Sequence, residues 1–350
     1  MAILYILGAR QRKLIFKHEQ EQNLYEAALI LEVDTETRQV RTCVEYKSPL
    51  EACSGPNASM VFKSATMVGD ILYSCTSTEV IIFKLPTFEK IGYITLPQFN
   101  DVHHVTPVSD GSLVVVSTGL DMVFKIGRDG AILEEWTVLE KPIWSRFSRE
   151  VDYRKVETTK PHESHPNFAF ELEKEIWATR FRQRDAICLT KPGGRIDIAV
   201  QTPHDGLIHG ERIYFTTVDG RVVIVNRQTL KVQRVVDLNE PDNEKKVLLG
   251  WCRGLLPADQ ERMWVAFTRV RKTKFVENVL WVRSFVKDGV QDKPTHIALY
   301  DLEQQKRLDE LDLEPYGMNI IFSIFPAMRS GSTTKTADTY DEKSSRVLRV

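Results

Sequence analysis

The chain has 350 residues, 42% of them hydrophobic and 27% charged, and a formal net charge of −1. That is the composition of a soluble globular protein, and the even charge balance gives no reason to expect general binding to nucleic acid or to a membrane surface. No apolar run approaches the ~20 residues that a membrane helix needs.

The first segment, Met1-Ala2-Ile3-Leu4-Tyr5-Ile6-Leu7-Gly8, is apolar but short, and it is followed rather than preceded by Arg10, Arg12 and Lys13. It reads as a strand and not as an export signal. The five cysteines, Cys43, Cys53, Cys75, Cys188 and Cys252, are dispersed without a CxxC pair, which points to a cytoplasmic protein with reduced thiols. Ala28–Val33, the polar turn at Asp34–Thr37 and Val40–Val44 form a hairpin signal.

From Met60 a unit begins that recurs. Val61–Lys63, the turn Gly69-Asp70, Ile71–Cys75, Val80–Phe83 and Ile91–Ile94 give four short strands in roughly forty residues, the size of a propeller blade. The second unit runs from His104 through Leu113–Val116 and Met122–Ile126 to Ile132–Trp136, with Asp121 where Glu79 stood; both acids read as structural turn residues. The third runs from His165 through Ile176–Thr179 and Ala186–Leu189 to Ile196–Ile198, and the fourth contains Ile213–Phe215, Val222–Val225 and Val232–Val236. A fifth opens at Trp251–Leu255, continues with Met263–Phe267 and resumes at His296–Tyr300. Asn319–Phe325 is left without a blade, and the N-terminal strands can complete it. The expected fold is therefore all-β, a six-bladed β-propeller over residues 1–328 whose closing blade is shared by the two chain ends, which removes two exposed sheet edges.

Two interruptions and a tail complete the layout. Residues 142–163 fall between blades and are expected on the rim, with Trp144, Arg146, Arg149, Asp152, Tyr153, Arg154 and Lys155 covering or lining the axial mouth. Residues 273–294 interrupt the fifth blade, and Phe275, Val279, Val282 and Phe285 follow helical spacing there. Residues 329–350 are polar and read as a disordered tail.

The functional lead is histidine. His103 or His104, His165 and His204 each precede an apolar run by roughly nine to eleven residues, as equivalent sites in a repeat array do. The first strand of every propeller blade lines the central channel, so residues at its start converge from distant parts of the chain. Three neutral imidazoles there suit Zn(II), and equally Fe(II) or Cu(II). Asp205 and Asp101 stand beside them as orienting carboxylates. The competing interpretation is of hydrogen-bonded structural histidines, as for His18 and His296; His162 and His209 stay ambiguous. Arg180, Arg182 and Arg184 alternate along a strand or loop, which suits either a solvated charged edge or, next to the His165 blade entry, a guanidinium that binds a substrate carboxylate, phosphate or sulfate; Trp144 on the rim segment is the further substrate-binding candidate. Arg253 occupies the fifth unit's counterpart of the histidine position. Tyr153 serves proton transfer if the 142–163 segment folds over the mouth. Neither a nucleotide-binding glycine loop nor a GxSxG element is present.

This blade pattern resembles six-bladed propellers of the NHL, strictosidine-synthase and gluconolactonase type, and the three blade-opening histidines are similar to the axial zinc set of peptidyl-amidoglycolate lyases. That second resemblance implies a metal-bound substrate oxygen, an arginine for a carboxylate and a tyrosine as base, with Arg253 and Tyr153 as the candidates for the last two roles. The expected function is a metal-dependent lyase, hydrolase or oxidoreductase acting on a small polar or anionic molecule or a peptide. The alternatives are a non-catalytic protein- or peptide-binding rim, and metal-free histidine chemistry in the channel.

Overall fold

The computed structural model describes residues 2–13, 24–142, 144–240, 247–270 and 291–328. Six four-stranded sheets are arranged as the blades of a propeller. Numbered along the chain, blade 1 holds Thr66–Val68, Ile71–Cys75, Val80–Lys84 and Glu89–Ile94, and blade 2 holds Val102–Pro107, Leu113–Ser117, Met122–Ile126 and Ile132–Thr137. Blade 3 has Ala169–Leu172, Glu175–Arg180, Asp185–Cys188 and Arg195–Asp197, and blade 4 has Pro203–His209, Arg212–Thr217, Arg221–Asn226 and Val232–Asp237. Blade 5 comprises Trp251–Pro257, Arg262–Thr268, His296–Asp301 and Lys306–Asp312. In blade 6 the C-terminal strand Ile320–Pro326 lies innermost, followed by Ile3–Gln11, Tyr25–Asp34 and Val40–Tyr46.

The strands form because short runs of β-branched and aromatic residues sit between turns that glycine completes, as at Gly111 and Gly130, where φ is +88° and +85°. Middle strands are apolar on both faces, since a blade is sandwiched between two others; all five residues of Leu113–Ser117 are buried. Each neighbouring pair of blades shares a core. Phe124 and Tyr73 belong to the one between blades 1 and 2, and Phe215 and Trp177 to the one between blades 3 and 4. Ring closure is antiparallel, with Tyr5 opposite Phe325 and Ile6 opposite Ile324.

Two expectations need correction. Val61–Lys63 is not the inner strand of blade 1; that strand is Thr66–Val68. Residues 61–64 form a connection instead, Phe62 N–H donating to Gly8 O at 3.2 Å and Ser64 N–H to His103 O at 2.9 Å, and its apolar character reflects burial of Phe62 in the core shared by blades 6 and 1 and of Val61 against Tyr25 and Phe322. Conversely, Ala169–Leu172 and Pro203–His209 are inner strands in segments read above as approaches to strands. The proposed helix with Phe275, Val279, Val282 and Phe285, and the tail from 329, lie outside the described residues. Among the described residues no helix is long and apolar enough to cross a membrane.

Candidate functional site

The starts of the inner strands and the crossovers leading into them line a funnel of about 730 Å³ at one end of the axis. Every blade contributes, including Lys63 before blade 1, Asp101 and His103 at blade 2, His165 before blade 3, His204 at blade 4, Arg253 at blade 5 and Phe322 at blade 6. The convergence anticipated from sequence is therefore present for His103, His165 and His204. Ring centroids of His103 and His165 are 5.1 Å apart, and those of His103 and His204 5.8 Å.

The tightest group is a different one. Single ligand atoms of Asp101, His162 and His165 all lie within 4.8 Å of one another. His162 and His165 stack at 4.9 Å with their Nδ1 atoms 2.7 Å apart, so one nitrogen donates a proton to the other's lone pair. Asp101, in the left-handed region at φ +51°, forms a close ion pair with Lys63. Burial alone would raise its carboxyl, but the opposing pull, led by the Lys63 ammonium, holds it well below the usual range. The carboxylate is thus anionic, as a cation site requires.

His103 donates Nδ1–H to the backbone oxygen of Asp101 at 2.8 Å, which leaves the lone pair on Nε2. Burial first and Lys63 second depress it to about 3, so it is a neutral imidazole. His162 is also lowered by burial. His204 is different. Its Nε2 accepts the Nε–H of Arg253 at 3.3 Å, and since arginine can only donate there, the imidazole proton belongs on Nδ1. Burial and the adjacent guanidinium keep that ring neutral, well below its ordinary value. Neither nitrogen then offers a lone pair to a metal without breaking the Arg253 contact, and Arg253 itself is stacked over Phe322 at 4.5 Å and Trp251 at 5.5 Å.

No protein-family model matches this chain, and no curated protein does. Solved structures do match. A protein of unknown function from Bacteroides caccae is similar at 13% identity, over 94% of this chain and all of that one, with a TM-score of 0.59. A nidogen/laminin complex chain is similar at 9% identity, over 93% of this chain and 98% of that one, with a TM-score of 0.53. A streptogramin B lyase matches at 12% identity, 89% and 88% coverage and a TM-score of 0.47. At such identities the likeness is one of fold, a propeller, and the chemistry has to be argued from the residues.

The other sequence candidates are placed as follows. His104 points out of the funnel, its Nδ1 accepting from Ala169 N–H at 3.2 Å and its Nε2 meeting Thr66 Oγ1 at 3.2 Å, so it stitches blades 1, 2 and 3 together. Adjacent strand residues face opposite ways, which decides between it and His103. Tyr153 does not line the mouth: it is buried in the core of blades 1 and 2, and its hydroxyl accepts from Ser148 N–H at 2.8 Å. Trp144 packs on that same core and donates to Glu135 at 3.0 Å, also outside the funnel. Arg180 is spent on a two-pronged pair with buried Asp185 at 2.8 and 2.7 Å, and Arg184 is exposed outside the lining; a turn after Arg180 breaks the alternation that would have put all three arginines on one face. Arg182 alone of the three reaches the funnel, as does Arg154 from the 142–163 segment. Asp205 orients no imidazole, bonding instead to Ser64 Oγ at 3.1 Å and Gly206 N–H at 2.9 Å.

Lys63 and the grouping of Asp101 with His162 and His165 went unread in sequence, where Asp101 reads as an orienting carboxylate and His162 stays ambiguous. The His162-Glu163-Ser164-His165 spacing was the available signal for His162, since a turn brings residues three apart to one side.

Proposed function

We propose that this protein is a metal-dependent enzyme, with a divalent cation held at the funnel mouth by Asp101, His162 and His165. Two imidazoles and one carboxylate form a donor set suited to zinc or ferrous iron, and the observation that carries the reading is the approach of all three ligand atoms to within 4.8 Å. The 2.7 Å between the two Nδ1 atoms is less than the about 3.3 Å between neighbouring nitrogens on a tetrahedral zinc, so the pair would open slightly as the shared proton leaves. A bound cation there would supply Lewis acidity to a substrate oxygen or lower the pKa of a water.

The chain's own residues set the substrate class. Among the described residues Lys63, Arg154, Lys160, Arg182 and Arg253 line the funnel beside Asp101 and Glu157, with Asp152 paired to Arg154 from outside the lining, and this excess of cations favours a small anion or an acidic peptide end over a neutral molecule. Arg182, exposed on the blade 3 turn and beside Phe181, which packs on His165 at 5.2 Å, is placed to meet the anion next to the ligand pair. His103, neutral with its lone pair on Nε2, offers an acceptor to a substrate hydroxyl or a fourth donor to the metal. Lyase, hydrolase and oxidoreductase chemistry all fit such a centre. We place the activity in the cytoplasm, which the five unpaired cysteines favour.

A second reading is favoured by the direct imidazole–imidazole hydrogen bond, which is itself a functional acid–base pair when no cation is present. Metal analysis of untagged protein separates the two. The metal reading expects about one zinc or iron per chain, abolished in a His162→Ala, His165→Ala double variant and retained in His204→Ala, whose ring is committed to Arg253. Stoichiometry near zero after growth in metal-supplemented medium, with no zinc uptake by calorimetry, sinks the metal reading and leaves the histidine pair.

A further inference from the structure

The two histidines belong to a crossover with no regular secondary structure, so something other than a ladder of backbone bonds must fix their separation. Three successive backbone N–H groups of that crossover converge on one side chain. Asp121 accepts from Glu163 N–H at 2.8 Å through Oδ2, and from Ser164 N–H at 3.1 Å and His165 N–H at 2.7 Å through Oδ1. Successive N–H groups of this kind form a concave anion nest, and here a carboxylate 1% exposed to solvent fills it. His165 stands in the left-handed region at φ +62°, a conformation a β-carbon disfavours, and its own N–H makes the shortest of the three bonds.

The turn that carries Asp121 also grips the crossover on either side. Thr118 Oγ1 donates to Pro166 O at 2.5 Å, just after His165, and Thr159 Oγ1 donates to Gly119 O at 2.5 Å, just before His162. Arg146 Nη1 lies 3.3 Å from Asp121 Oδ2 and offsets its buried charge. The acids at the corresponding point of other blades act differently. Glu79 accepts from four side-chain hydroxyls, of Tyr46, Ser48, Thr76 and Tyr93; Asp185 takes Arg180 and Arg195; Asp219 takes Thr217 and Arg221.

We propose that Asp121 is the positioning residue of the histidine pair: its carboxylate sets the path of the Glu163–His165 backbone and with it the distance and tilt between the His162 and His165 rings. It touches no ligand atom and acts through the backbone of His165. As a statement about metal affinity this rests on the metal reading above; as a statement about ring geometry it does not.

The test uses the full chain with Asp121→Asn, and with Asp219→Asn as the same change at the equivalent point of blade 4. Zinc is titrated into each by calorimetry, and in metal-free, 15N-histidine-labelled protein the low-field proton shared by the two Nδ1 atoms is followed by NMR. Asp121→Asn should weaken zinc by about 10- to 100-fold and shift or abolish the shared-proton resonance, while Asp219→Asn leaves both as in the wild type. Zinc affinity within twofold of wild type in Asp121→Asn, or an equal loss in Asp219→Asn, overturns the proposal. Should wild type bind no zinc, the metal reading fails and the resonance decides: unchanged in Asp121→Asn, it refutes the positioning role. If Asp121→Asn is insoluble, Asp121→Glu, which keeps the charge but displaces it by one methylene, must show the same loss in both readouts, and wild-type behaviour refutes the role.

Discussion

His103 and His104 are neighbours in sequence, both buried and both depressed to about 3, yet one faces the funnel and the other ties three blades together. At this scale burial makes the protonation states, and Asp205 shows the opposite sign of the same effect. It is 6% exposed, with Ser64 and Gly206 as donors and Arg253, Cys75 and Cys252 as its titratable or charged surroundings. Burial pushes its carboxyl up to about 7, more than the Gly206 and Ser64 bonds and Arg253 bring it down. The native state therefore prefers the protonated acid. Its stabilising contribution is complete below the unfolded-state value near 4 and is lost as pH rises through 7, a change of at most about 4 kcal/mol. Asp205→Asn, which mimics the protonated acid, should match wild type near pH 4.5 and exceed it in urea midpoint at pH 8.5. Parallel midpoints for the two proteins across that range would show that Asp205 is ionised without cost.

At the scale of elements, closure depends on how nearly Ile320–Pro326 can approach Ile3–Gln11. A β-carbon on Gly8 would lie 1.8 Å from Ile320 O, a backbone atom that cannot turn aside, and the register shifts between Leu7 and Gly8 at that point. Gly8→Ala should therefore cost about 2–3 kcal/mol or more, whereas Gly55→Ala, with nothing within 4 Å, should be close to neutral. Thermal melts of the two variants check this, and equal melting temperatures would mean that the closing blade is looser than its register implies. The pairing of the chain ends was legible because Asn319–Phe325 had no blade of its own. Regular strands announce themselves by run length and turn residues, and so the ring could be counted. The site was only half legible, because it is built from crossovers. His162 and Arg182 sit on turns, where periodicity says nothing about direction, and Tyr153 and Trp144 turn inward because the 142–163 segment supplies apolar packing to the core of blades 1 and 2 as well as Arg154 to the funnel.

For the whole molecule, the ring geometry converts a nearly neutral chain into one with a charged mouth. Six inner strands start at the same end of the axis, so each blade places one or two side chains there whatever its sequence distance from the rest. Among the described residues five cationic side chains and two carboxylates line the funnel, although the formal net charge of the full chain is only −1. Low-dielectric walls concentrate such a field, and added salt screens it over a Debye length of about 10 Å at 0.1 M. Malonate, a small dianion, should therefore bind more tightly than its neutral diamide. Its dissociation constant should rise severalfold between about 20 and 200 mM sodium chloride, while that of the diamide hardly moves. Arg182→Ser, which removes an exposed charge from the rim and leaves the ligand set intact, should weaken malonate by about threefold at low salt and flatten the salt dependence, as one Coulomb partner in a screened funnel would. Calorimetric titration of the three combinations decides it. Equal affinity for dianion and diamide would place the attraction in shape rather than charge, and the preference for an anionic substrate would then have to be given up.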